Sequence, residues 1–418
     1  MEQQLRAEAR RRNGSTPDAR AGSTGDPARG LTQPLTAGVV TAVVGFSGAF
    51  AVVISGLRAV GADQRQAVSG LLALCTAMGL LGIGLSIRYR QPISIAWSTP
   101  GAALLVSTGR QPGGYSCAVG AFVIAGILLA TTGLWRRLGR WVTGIPAPLA
   151  SAMLAGVLLP VCLTPVQAAV RLPSLSLPAI ATWALLTPFA RRWATPAAFV
   201  VALGSLAVLR HPHLGSFEQL LPTPTLTPAA FSVGAVIGIA LPLYVVTMAA
   251  QNVPGIAVLN QFGYRPPTRP ILVSTGTTSA LCAPFGGFAL NLAAISAALA
   301  AGPDAGPDPK RRWIASATAG ATYLGLGLTA GVSTALLTAA PPLLIEAVAG
   351  LALLGTLGSA LAAAVADSEA REASMIAFAV TASGITVLGI GAAFWGLLAG
   401  LAFHSLPRTH RAAARPRA

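Results

Sequence analysis

QPISIAWSTPGAALL, residues 91–105, and STGTTSALCAPFGGFALNLAA, residues 274–294, are apolar enough for a membrane interior, yet neither reads as an unbroken helix. In the first, Pro100-Gly101 follows a β-branched, strand-like run. In the second, Pro284 is followed by Gly286 and Gly287. Proline suits the first turn of a helix, where its missing N–H has no partner to lose, and glycine admits a ligand close to the backbone. Each stretch therefore reads as an extended segment leading into a half-helix that begins near mid-membrane. Unpaired backbone at that depth is tolerated only where it lines a cavity or a ligand. Two half-helix N-termini, each carrying about half a positive charge, would converge on an anion. The competing reading is a pair of proline-kinked helices packed through small residues, and it leaves the matched placement of the two interruptions without a cause.

Composition supports a membrane setting for both stretches. Of 418 residues, 54% are apolar and 10% charged, against about 25% charged in a soluble domain. The 28 basic residues, Lys310 being the single lysine, outnumber 12 acids. A nucleic-acid binder would display such an excess on a solvated face, and this chain has too few polar residues to build one. Apolar runs fall at 36–57, 66–87, 93–107, 114–134, 146–169, 176–190, 195–209, 228–250, 271–282, 284–301, 313–336, 342–365, 373–386 and 387–404. These are fourteen candidate spans of an all-α polytopic membrane protein. With the Arg-rich, Gly/Pro-rich residues 1–34 taken as a disordered cytoplasmic tail and the spans alternating, Arg58, Arg65, Arg110, Arg171 and Arg210 fall outside. All other basic residues fall inside, the asymmetry of the positive-inside rule, so both termini, 406–418 included, read as cytoplasmic. The interrupted stretches are then spans three and ten, seven apart. A second echo at the same offset aligns Pro148–Leu159 of span five with Pro342–Leu353 of span twelve, with five of twelve positions identical. Together they point to a seven-plus-seven inverted repeat.

Four segments carry a family resemblance: PISIAWSTPGAALL (92–105), ALPLYVVTMAAQNVPGIAVL (240–259), APFGGFALNLAAISAALAAGPDAGPDPKRRW (283–313) and TASGITVLGIGAAFWGLLAG (381–400). They resemble the benzoate:proton symporter (BenE) family over essentially all of 35–404. The resemblance implies the fourteen-span fold shared with uracil and sulfate-type carriers. Residues 35–134 (spans one to four) and 228–337 (spans eight to eleven) would form a core domain. Residues 135–227 and 338–405 would form a gate domain. It implies import of an aromatic carboxylate with protons through the inner or plasma membrane, by a protein that is not an enzyme and uses no cofactor.

Carried onto this chain, the site would comprise Ser98, Thr99 and Gly101 in span three, Gln251 and Asn252 in span eight, and Gly286, Gly287 and Asn291 in span ten. Hydroxyls and half-helix N–H groups suit a carboxylate, and an aromatic ring needs an apolar slot. Phe46 and Phe285 lead the candidates for that slot, with Phe50, Trp97, Tyr244 and Phe288 behind them. Two adjacent amides inside an apolar span are costly unless satisfied, so Gln251-Asn252 reads as a ligand site or as glue between helices. The related uracil carriers bear acids near the positions of Gln251 and Gly286-Gly287, and an anionic substrate accounts for their absence here. Glu346 is the one acid within an apolar segment, and hence the proton-coupling candidate, with a snorkelling or gate-stabilising role as the alternative. Cys75, Cys117, Cys162 and Cys282 read as buried packing residues, and with His211, His213, His404 and His410 they form no metal or catalytic cluster. Another small anion, a nucleobase or a channel on the same fold remain open by sequence, as does homo-oligomer formation.

Overall fold

Apolar runs bounded by Pro, Gly and charged residues become packed helices in a computed structural model, which describes residues 29–110, 112–135, 146–210, 222–387 and 390–406. The tail expected through residue 34 is shorter than read, because helix α1 (Arg29–Ala59) begins within it. The rest of both expected tails, with Arg136, Arg137, Arg140, His211, His213 and His410, lies outside the described residues.

Helix α2 (Gln64–Tyr89) opens on a capping box. Gln66 N–H donates to Asp63 Oδ1 at 2.8 Å and Asp63 N–H to Gln66 Oε1 at 2.9 Å, so two otherwise orphaned donors are satisfied reciprocally. It stops at Arg90, in the left-handed region at φ 53°, whose guanidinium lies 4.4 Å above the Trp313 ring. Then come strand β1 (Ile95–Trp97), α3 (Thr99–Thr108), α4 (Gly114–Leu134), α5 (Ala147–Arg171) and α6 (Pro173–Arg210). The last is two arms meeting at a non-helical Ala190. The chain continues as α7 (Val233–Gln261), α8 (Thr268–Cys282), strand β2 (Leu290–Leu292), α9 (Ile295–Ala301), α10 (Trp313–Leu328) and α11 (Ala330–Ala339). It ends with α12 (Pro342–Val365), α13 (Arg371–Ala382), strands β3 (Thr386–Val387) and β4 (Ile390–Gly391), and α14 (Ala392–His404). The fold is thus mostly helical rather than all-α, with two short antiparallel sheets, β1–β2 and β3–β4. Among the described residues seven helices, α1, α2, α4, α5, α6, α7 and α12, are long and apolar enough to cross a membrane.

Packing concentrates in a few crossings. Helix α2 lies against α10, α4 against α8, and α5 against both α12 and α13. Glycines permit the closest of these. A Cβ at Gly79 would meet the Gly320 carbonyl oxygen at 2.7 Å, and one at Gly276 would meet that of Gly126 at 2.7 Å. An aromatic seam ties α1 to its neighbours. Phe46 and Phe50 stack at 5.0 Å, Phe50 meets Phe199 of α6 edge-on at 4.8 Å, and Phe46 lies 5.9 Å from Trp97.

Helix α7 contains two π-turns, Val236–Ala240 and Met248–Asn252, and each is followed at once by a proline-bearing turn, Pro242 and Pro254. A proline ring clashes with the carbonyl four residues earlier, here Gly238 and Ala250. Widening the preceding turn relieves the clash, and Leu241 and Val253 donate five residues back, to Val236 and Met248.

Candidate functional site

Strands β1 and β2 cross antiparallel, with Ile95 opposite Leu292, Ala96 opposite Asn291 and Trp97 opposite Leu290. The ladder extends at both ends, Ser98 N–H to the Ala289 carbonyl and Ala293 N–H to the Ser94 carbonyl, each 2.9 Å. In such a ladder the residues between these pairs turn their N–H groups outward. Helices satisfy them: Leu290 N–H donates to Ser279 Oγ of α8 at 2.8 Å, and Leu292 N–H to Asn252 Oδ1 of α7 at 2.9 Å. Each β2 edge donor is therefore sealed by one buried side chain, as backbone inside a membrane protein requires.

The span-three stretch folds as read: a strand, Ser98 as N-cap, then α3 with Pro100 in its first turn. Ser98 is fully buried and its Oγ accepts from Gly101 N–H at 3.1 Å. The span-ten stretch differs from the reading. Pro284 lies in a 3-10 turn (Ala283–Phe285) that prolongs α8, and Gly286 follows at φ 90°, where a side chain would be strained. The chain then runs extended through β2, and the half-helix begins at Ile295. Proline fits the first turn of a 3-10 extension as well as it fits a helix start, so Pro284 closes one helix where it had been expected to open another.

This difference sorts the candidate residues. Ser98, Asn252 and Asn291 are fully buried at the crossing, with Thr99 and Gln251 half-buried beside them. Asn252 uses its oxygen to hold β2 and its amide to reach Met248 Sδ at 3.5 Å. Both polar atoms of the Asn291 side chain are buried without a partner among the described residues. Gly101 is filled by its neighbours, since a Cβ there would collide with Leu243 of α7 and meet Ser98 Oγ at 2.8 Å. Phe46 stays near, stacked on Phe50 and beside Trp97. Phe285, Gly286 and Gly287 have other nearest neighbours. A Cβ at Gly286 would meet the Tyr115 hydroxyl and Gly70 of α2, Gly287 backs onto Cys282, and Phe285 is 37% exposed. Phe285 lines a lateral apolar groove of about 370 Å³ with Leu72 and Leu80 of α2 and Cys282 of α8. Tyr244 turns to α4, where its hydroxyl bonds Thr132. Glu346 is half-buried on α12, remote in sequence from both strands, and its backbone carbonyl accepts from Thr164 Oγ1 at 2.8 Å.

Two polar residues missed by sequence reading, Ser279 and Thr247, complete the crossing, and a third, Arg312, lies outside it. Ser279 and Thr247 are fully buried, and Thr247 Oγ1 donates to Ser98 Oγ at 2.9 Å. Arg312, 8% exposed, donates to the carbonyls of Ala301 and Gly306 at 2.8 Å each, clamping the end of α9. The KRRW motif held the signal for Arg312, a cation beside a helix C-terminus. Hydroxyls in apolar helices give none, because most bond their own backbone.

Comparison with known proteins places this geometry in context. The family model described as benzoate membrane transport protein, BenE, matches residues 31–406. The inner membrane protein YdcO of Escherichia coli is 39% identical over 370 residues, covering 88% of this chain and 93% of that protein. The benzoate membrane transport protein of Acinetobacter baylyi is 30% identical over 368 residues, covering 87% and 92%. Among solved structures, the transmembrane domain of the cyanobacterial bicarbonate transporter BicA superposes with a TM-score of 0.55 at 16% identity, covering 89% of this chain and 98% of that one. SLC26A9 gives 0.61 at 13% identity, covering 90% and 65%. At such identities these structures speak for the fold alone.

Proposed function

The chain belongs to the BenE family of benzoate membrane transport proteins, and from that premise we propose that it imports benzoate or a similar aromatic carboxylate, together with protons, by alternating access. Its family consists of membrane transporters and not enzymes. The single observation that carries the proposal is Asn291, an amide buried without partners at the crossing of the two interrupted spans. An unsatisfied buried amide costs about 1–3 kcal/mol, and a ligand's oxygens would accept from its Nδ2–H groups. Ser98 with its neighbour Thr99, and Gln251 next to Asn252, offer further donors. No residue meeting there is charged, so an anion would be held by neutral donors.

The fourteen-span, seven-plus-seven arrangement is part of the same reading. Shifting span numbers by seven interchanges the α2–α10 pair with the α4–α8 pair, and both cross on facing glycines. The same shift maps α5–α12 and β1–β2 onto themselves. Spans one to four and eight to eleven then form the core that carries the crossing, the remaining spans form the gate, and the arginine asymmetry sets both termini in the cytoplasm. Since Ser98, Asn252 and Asn291 are closed off here, access to them requires the core to part from the gate.

Uptake of radiolabelled benzoate into proteoliposomes, with and without an inward proton gradient, tests the proposal. Saturable uptake stimulated by the gradient is expected. Uptake indifferent to the gradient would remove the proton, and competition by uracil or sulfate but not by toluate or salicylate would replace the substrate.

A further inference from the structure

We propose that Thr247 is a positioning residue that turns Ser98 into a committed hydrogen-bond donor, and that this selects a ligand that only accepts, a carboxylate, over an equally shaped ligand that presents N–H groups. The inference rests on the crossing being the substrate site and adds to it the source of discrimination.

A serine hydroxyl has one proton and two lone pairs. At Ser98 one lone pair accepts from Gly101 N–H at 3.1 Å and the other from Thr247 Oγ1 at 2.9 Å. The backbone N–H cannot reverse its role, and with both lone pairs filled Ser98 has only its proton left to offer. That proton has no acceptor among the described residues.

Thr247 departs from the habit of other threonines in these helices. Thr41, Thr108, Thr132 and Thr275 each return the hydroxyl proton to the carbonyl four residues back, at 2.7 to 2.8 Å. Thr247, fully buried, instead sends its proton across from α7 to the cap of α3. It stands immediately before the π-turn Met248–Asn252. Five residues on an unbroken α-helix turn through about 500°, leaving the ends well apart in direction. The wider π-turn brings Thr247 and Asn252 toward one side, so that one helix bonds Ser98 beside β1 and Leu292 in β2.

The independent sign of a ligand is Asn291, whose amide is fully buried with neither atom partnered. An amide offers donor and acceptor alike and can adapt to either kind of ligand. Ser98 cannot, so the preference for an acceptor falls to it and, through it, to Thr247.

Competition binding to the purified, full-length transporter with benzoate and benzamide provides the test, since benzamide replaces a carboxylate oxygen with an N–H donor. In Thr247→Val the vacated lone pair can accept from benzamide, and the benzoate-to-benzamide affinity ratio is expected to fall about tenfold. Thr247→Ser, which restores the donor, is expected to return the ratio to that of the unaltered protein. A merely structural Thr247 would change both affinities together and leave the ratio alone. Ser98→Ala should lower the ratio as Thr247→Val does, and the double variant should lower it no further. An unchanged ratio in Thr247→Val with benzoate still bound overturns the proposal, and should that variant not fold, an unchanged ratio in Ser98→Ala does so. Failure of the unaltered protein to bind benzoate overturns the transport reading, and this inference with it.

Discussion

Asn252 and Asn291 are the same side chain in two opposite conditions. Asn252 holds the Leu292 N–H, and Asn252→Ala would orphan that donor, so a loss of about 1–3 kcal/mol is expected, read as a lower melting temperature in detergent. Asn291 holds nothing, and Asn291→Ala is expected to leave the melting temperature unchanged or raised. The same variant should weaken benzoate binding by about 1.5–3 kcal/mol, measured by titration calorimetry. The sequence made the importance of buried amides legible, because a lone amide in an apolar run must find a partner. It did not make their division of labour legible, because satisfaction depends on a strand some forty residues away. Thr247 was illegible for the complementary reason that a hydroxyl in a helix has a partner in its own backbone. Glu346 makes no ion pair among the described residues. As proton-coupling candidate, Glu346→Gln should keep benzoate counterflow while losing stimulation by an inward proton gradient, and counterflow with stimulation intact would remove the role.

Helix α7 shows what an element adds to its residues. Its two π-turns precede Pro242 and Pro254, and the second sets the phase that lets Thr247 and Asn252 serve neighbouring backbones. Deleting Ala249 would take the extra residue out of that turn and rotate Thr247 against Asn252 by about 100°. The expected outcome is a membrane-inserted protein with normal yield and no benzoate uptake, measured in proteoliposomes. Both prolines were visible in the sequence, but neither shows whether the helix answers with a kink or with a wider turn. The span-ten stretch holds a similar lesson. Its interruption was legible from Pro284, Gly286 and Gly287, whereas the direction was not, because Gly286 at φ 90° ends α8 and the extended run exists to meet β1. Strand pairing across nearly two hundred residues leaves no mark on either partner's local pattern.

Over the whole molecule, membrane character and the pairing of two interrupted spans were legible from composition and spacing. The close approach of helices was not, since glycine is common throughout the chain and only contact tells which copies matter. Gly126 and Gly276 face each other across α4 and α8, with Ala280 and Ala130 backbone atoms beside them. Gly276→Val is therefore expected to force the pair apart, costing about 1–3 kcal/mol or more by overpacking, read as a lower melting temperature and reduced yield. Gly84, around which a Cβ would meet nothing within 4 Å, supplies the control, and Gly84→Ala should change neither.

The crossing of β1 with β2 also bears on how the molecule is made. Between the emergence of Trp97 and of Leu290, its partner in the ladder, a ribosome adds almost half of the chain. At about 5–20 residues per second this takes roughly 10–40 s. During that wait the backbone groups of Ile95–Trp97 sit within the first half without the strand that pairs them, each worth several kcal/mol if left to hydrocarbon. The β1–β2 crossing thus cannot form until Leu292 has been made, well into the second half of the chain. A chain interrupted before Leu292 would keep β1 unpaired, the same strand that in the full chain joins β2 at the crossing.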